Sequence, residues 1–140
     1  MKKLIVYQGI QGSGKSTAAK SFVMEDPDNR VRVNRDDIRL MLGKPFNPKV
    51  EKIVTKIEHA ALVASMESGK IVVCDSTNMN PKTMKYLENL AKSFGYEIEY
   101  RLMKTPIEVC IERDSKRPNP VGEKIIRETY ERYKEYIENV

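Results

Sequence analysis

Residues 3–16 read Lys3-Leu4-Ile5-Val6-Tyr7-Gln8-Gly9-Ile10-Gln11-Gly12-Ser13-Gly14-Lys15-Ser16, and the fold turns on them. Gly9 to Ser16 match the phosphate-loop pattern G-x-x-x-x-G-K-[ST] at every fixed position. Glycines at these places let successive backbone N–H groups converge on an anion, a geometry that side chains would block. Lys15 is placed to reach β- and γ-phosphates, and the Ser16 hydroxyl suits Mg²⁺. Gly9, Gly12, Ser13, Gly14 and Thr17 complete the predicted nucleotide cradle. Lys3 to Tyr7 form an apolar run in a first strand over about Lys3–Gln8, and Thr17 to Glu25 read as a helix whose positive dipole end meets the same charge. A glycine-rich turn that binds nothing is the competing reading, and the strand before and helix after speak against it.

Beyond the loop the pattern alternates strand and helix. Arg30 to Asn34 alternate polar and apolar residues as a strand does. A short helix over about Asp36–Leu42 is expected to stop at Gly43 and Pro45, and a long one over about Pro48–Ser68 to bury Ile53, Ile57, Ala60, Ala61 and Ala64. Lys70 to Cys74 form the most apolar strand and are expected to be central. Asn80-Pro81 predicts a helix start, with Met84, Leu87, Ala91 and Phe94 on its inner face. Tyr96–Met103 predicts the fourth strand, Pro106–Ser115 a helix, and Glu123–Glu138 a last helix with Ile126, Tyr130, Tyr133 and Ile137 in phase. The expectation is an α/β chain with a parallel sheet of about four strands, helices on both faces and right-handed crossovers. Ligands of such sheets bind at the carboxyl ends of the strands.

The 140 residues suit one domain, 1–140. With 40% hydrophobic and 32% charged residues the chain is expected to be globular, not disordered. No apolar run approaches the ~20 residues of a membrane span, and Met1-Lys2-Lys3 lead into a strand without a cleavage site. Cys74 and Cys110 sit in apolar runs without metal spacing, which reads as buried reduced thiols in the cytoplasm. The net charge of +5 and the pI of about 9.1 favour an anionic partner.

Three strand ends carry chemistry. Asp36 and Arg39, three apart after the second strand, share a helix face, while Asp37 is turned away. They read either as a general base with an arginine for an acceptor anion, or as first-turn acids for the helix dipole with an ordinary ion pair. Asp75 ends the third strand, where a carboxylate holds Mg²⁺ directly or through water, or is a polar turn residue. Arg113 and Arg117, around Ser115-Lys116-Arg117 and a Pro-rich break, read as lid arginines or as a solvated basic helix end. Lys49, Lys52 and Lys56 form a basic stripe, more simply a solvated face. The lone His59 is given no catalytic role.

Taken together, Gly9–Ser16, Asn34-Arg35-Asp36-Asp37 with Arg39, Asp75-Ser76-Thr77-Asn78, and Arg113 with Ser115-Lys116-Arg117 resemble the 5′-kinase domain of bacteriophage polynucleotide kinase over essentially the whole chain. The resemblance implies a three-layer P-loop kinase fold with an arginine-bearing lid. It implies transfer of the ATP γ-phosphate, with Mg²⁺, to the 5′-hydroxyl of DNA or RNA in nucleic-acid repair. On it, Lys15 and Ser16 bind phosphates and metal, and Asp36 is the base. Arg39 holds the acceptor's phosphate, Asp75 serves the acceptor or the metal, and Arg117 with Arg113 serves the ATP phosphates. The implied setting is cytoplasmic, the host cytoplasm if phage-encoded. That family's Asp-x-Asp-x-Thr phosphatase motif does not occur here, so no 3′-phosphatase activity is expected. Alternatives are a small-molecule kinase for a sugar, nucleoside or antibiotic, and a nucleotide-binding switch or assembly ATPase. The oligomeric state stays open.

Overall fold

A computed structural model describes residues 1–43 and 47–140. Pro45, expected to help stop the second helix, lies outside the described residues. The elements in order are β1 (Lys3–Gln8), α1 (Lys15–Met24), β2 (Arg30–Val33), α2 (Arg35–Met41), a 3-10 turn at Pro48–Val50, and α3 (Glu51–Glu67). They continue with β3 (Ile71–Cys74), α4 (Pro81–Ser93), β4 (Glu97–Leu102), α5 (Ile107–Ser115) and α6 (Glu123–Asn139).

The sheet order is β2-β3-β1-β4, and every neighbouring pair is parallel. Val6 stands beside Cys74 and Tyr100, so β1 and β3 are the interior strands. Their near-continuous apolar runs follow from burial on both faces. Leu4, Val6, Val72 and Cys74 face α3 and α4, packing with Val54, Leu62, Met66, Leu87 and Ala91. Ile5, Tyr7 and Val73 face the other way, against Ala19 and Phe22 of α1. A third cluster joins Ile10 of the loop to Cys110 of α5 and to Ile126 and Ile137 of α6. Each large side chain so buried contributes roughly 1.5–3 kcal/mol, and this third cluster is what holds α5 and α6 beside the phosphate loop.

α4 starts as expected, with the Asn80 side chain accepting from Lys82 N and Pro81 in the first turn. Ile126, Tyr130, Tyr133 and Ile137 face inward on α6. The face of α3 differs from expectation. Ile53 is exposed, as are Ala60 and Ala64, and the inner residues are Val54, Leu62 and Met66, flanked by Ile57 and Ala61. The reason is Glu58, which falls within that inner face and is held there by Arg35, 2.9 Å away. A charged residue in the stripe breaks the apolar periodicity by which the face is read.

Candidate active site

The loop leaves β1 at the sheet's carboxyl edge, between α1 and α5. Gly12 has φ +82°, and a Cβ there would stand 2.4 Å from the Cys110 carbonyl oxygen, so only glycine lets the loop pass under α5. The first helical bond of α1 is Ala18 N to Gly14 O, and no side chain caps its start. The N–H groups ahead of it are therefore left for an anion, with the helix dipole behind them. Ser13 Oγ and Gln11 Oε1 are buried and unpartnered among the described residues. Two orphaned polar atoms in one loop mark a site built for a ligand.

Lys15 bends back over the loop and donates to Ile10 O at 3.2 Å. Burial, and then the Arg117 charge, lower it from its ordinary value to about 8, against the opposing fields of Asp75 and Asp36. The three groups expected to meet at the loop thus all act on its lysine. Thr17 is exposed in the first turn of α1.

On the acceptor side, Asn34 caps α2 by accepting from Asp37 N at 2.9 Å. Capping is therefore not the work of Asp36, whose side chain is 78% exposed and accepts from Arg39 Nη1 at 2.7 Å. Asp37 turns away, as its position predicts, and pairs with Arg32. Arg39 is also gripped by Glu51, Nε to Oε2 at 3.0 Å and Nη2 to Oε1 at 2.8 Å. These bonds raise Arg39 above its ordinary value, Glu51 first. The guanidinium is set in a fixed plane, as bidentate recognition of a second anion needs.

Asp75 is fully buried. Its Oδ2 accepts from Arg32 Nε at 2.9 Å and Nη2 at 2.7 Å, and its Oδ1 from Asn34 Nδ2 at 3.0 Å. A carboxylate has about four acceptor positions, so Oδ1 keeps one. Among the described residues no cluster of three acidic, histidine or cysteine side chains could cage a metal. The Ser16 hydroxyl and the spare position on Asp75 Oδ1 are the oxygen donors present for an Mg²⁺ ion.

Over the loop, Arg113 Nη1 donates to Gly12 O at 3.4 Å. α5 ends at Ser115, so Arg117 lies past the helix and not on one helical face with Arg113. Its position is set by Asp114, which is buried and accepts from Val121 N at 3.0 Å and Gly122 N at 2.9 Å. Arg117 Nη1 is 3.7 Å from Asp114 Oδ1. Sequence reasoning does not find Arg32 or Glu51, whose partners Asp75 and Arg39 lie 43 and 12 positions away, nor Asp114, whose partners include the backbone N–H groups of Val121 and Gly122. Asn34 carries a local signal, a cap-type residue before a helix. A groove of about 1230 Å³ between α4 and α6 holds none of the candidate residues.

A family model described as an AAA domain matches residues 4–140. A protein of Autographa californica nuclear polyhedrosis virus, named "Putative bifunctional polynucleotide kinase/RNA ligase", is 28% identical over 149 residues, covering 94% of this chain and 21% of the relative. An L-seryl-tRNA(Sec) kinase of Methanococcus maripaludis is 23% identical over 93% of this chain and 52% of its own. The solved "Structure of the Pnkp1/Rnl/Hen1 RNA repair complex" superimposes with a TM-score of 0.85 at 29% identity, over 99% of this chain and 46% of that one. This chain thus spans from about a fifth to about a half of the length of these curated relatives. The expected P-loop kinase fold is shown, and the chain is homologous to proteins named as polynucleotide kinases. Among the described residues no helix is long and apolar enough to cross a membrane.

Proposed function

The chain belongs to the AAA-domain family, and from that premise we propose that it is an ATP-dependent polynucleotide 5′-hydroxyl kinase acting on DNA or RNA ends in cytoplasmic nucleic-acid repair. The observation that carries this reading is the acceptor side. An exposed carboxylate, Asp36, stands beside an arginine held rigid by Glu51, and the Asp36 charge is felt at Lys15 of the donor loop.

In this mechanism the amides of Gly12 and of Gly14 to Ser16, with the Lys15 ammonium, hold the β- and γ-phosphates. Asp36 orients the 5′-hydroxyl and takes its proton as the oxygen attacks, a contribution of about 10²–10⁴. Arg39 holds the acceptor's first phosphate and aligns the oxygen with the γ-phosphorus. Arg117, with Arg113 behind it, offsets charge on the transferring group. Ser16 and Asp75 would hold Mg²⁺, which when bound would offset charge on the phosphates.

The test is transfer of labelled γ-phosphate to matched 5′-OH DNA and RNA oligonucleotides. Asp36→Ala is expected to abolish transfer with ATP binding retained, and near-normal turnover would remove Asp36 from the role. A second reading, phosphorylation of a smaller alcohol, draws on the match to L-seryl-tRNA(Sec) kinase. Transfer to small alcohols and not to oligonucleotides would favour it.

A further inference from the structure

We infer that the cavity bounded by α2, α3 and α4 seats the nucleobase of the acceptor's terminal nucleoside, an inference that rests on the polynucleotide-kinase reading. The cavity has a volume of about 370 Å³, in the range that encloses small ligands. Arg35 walls it from α2, Thr55 and Glu58 from α3, Lys82 and Tyr86 from α4, and Asn78 from the segment after β3. Arg35 directly precedes Asp36, and Asn78 lies three residues past Asp75. The cavity therefore lies beyond the carboxyl ends of β2 and β3. Arg35 and Arg39, four apart on α2, both hold Glu51, so the cavity adjoins the arginine that would hold the acceptor's phosphate.

The lining offers an acceptor as well as a donor, which a base can use and a phosphate, an acceptor only, cannot. Arg35 is already spent, with Nη1 on Glu58 Oε1 at 2.9 Å and Nη2 on Glu51 Oε1 at 3.3 Å and Thr55 Oγ1 at 3.2 Å. It is a neutralised wall, not an anion receptor. Among the described residues the Lys82 ammonium has no partner, and the second oxygen of Glu58 accepts nothing. The cavity thus offers one free donor, one free acceptor and a phenol ring whose hydroxyl is pinned 2.6 Å from His59 Nδ1. Donor, acceptor and aromatic wall together are what a splayed-out terminal base requires.

The experiment compares 5′-OH oligonucleotides that differ only in the terminal residue, four carrying a base and one abasic. The abasic acceptor is expected to lose about tenfold in kcat/KM, carried by KM, as for one or two lost hydrogen bonds. Lys82→Ala is expected to remove most of that difference. Lys82 is exposed and unpartnered, so this variant folds. Equal efficiency of abasic and base-bearing acceptors with the wild-type protein would overturn the pocket and leave the kinase reading intact. So would a Lys82→Ala variant that keeps the full ratio. Transfer to no oligonucleotide at all would overturn the kinase reading, and the pocket with it.

Discussion

Replacing Gly12 by alanine tests the join between the phosphate loop and α5. A Cβ at Gly12 would lie 2.4 Å from the Cys110 carbonyl oxygen and 3.0 Å from its carbonyl carbon and Cα. All three are backbone atoms of a helix tied down by the Ile10–Cys110–Ile126 cluster, so no rotamer can relieve the overlap. Alanine at φ +82° adds about 1–2 kcal/mol, and forced displacement of a packed helix about 1–3 kcal/mol. The sum, about 2–5 kcal/mol, corresponds to a Tm drop of roughly 8–20 °C for a domain of this size. The control is Gly95→Ala, at φ +71° with no atom within 4 Å of the new methyl. It carries the conformational penalty alone, a few degrees. Moving α5 also moves Arg113 off Gly12 O, so ATP affinity should fall with stability. Thermal melts and titration calorimetry of both variants measure this. If Gly12→Ala melts within about 2 °C of Gly95→Ala, or binds ATP as the wild type does, the packing argument is wrong.

Lys15, lowered to about 8 from 10.5 by burial, makes the unfolded chain bind more protons between those two values. Stability therefore rises as pH climbs through that window, by on the order of 3 kcal/mol, and the burden of a buried cation is full below it. Urea unfolding at pH 7.5 and 10.5 should show the rise in the wild type and not in Lys15→Met. Arg32→Ala leaves the Asp75 carboxylate buried with Asn34 as its one partner and should lose about 3–5 kcal/mol. Asp75→Asn added to it should recover much of that, and strict additivity in the cycle would deny the coupling. Asp114→Ala removes the acceptor for two backbone N–H groups, so proteolysis within residues 116–122 should quicken and transfer should slow as Arg117 loses its anchor. Unchanged protection would show that Asp114 does not order the segment.

Local chemistry was legible from the chain alone. The bounds of β1, the phosphate loop, the Asn80-Pro81 helix start and the inward side of α6 depend on residues within a turn or two of one another. So does the Asp36–Arg39 pair, because helix geometry sets a neighbour three residues away. Tertiary structure decided which side chains hold the candidate groups in place. Arg32 reaches Asp75 across 43 positions because β2 lies beside β3 in a register that places Arg32 opposite Val73. Glu51 meets Arg39 because α2 packs on α3, and Glu58 enters the inner face of α3 because Arg35 is there to neutralise it. The same packing made the α3 face unreadable from hydrophobic spacing, and it leaves between α2, α3 and α4 the cavity to which the terminal base is assigned. A sequence pattern states what each segment prefers; partners distant in the chain are set by strand register and helix packing, which no local preference encodes.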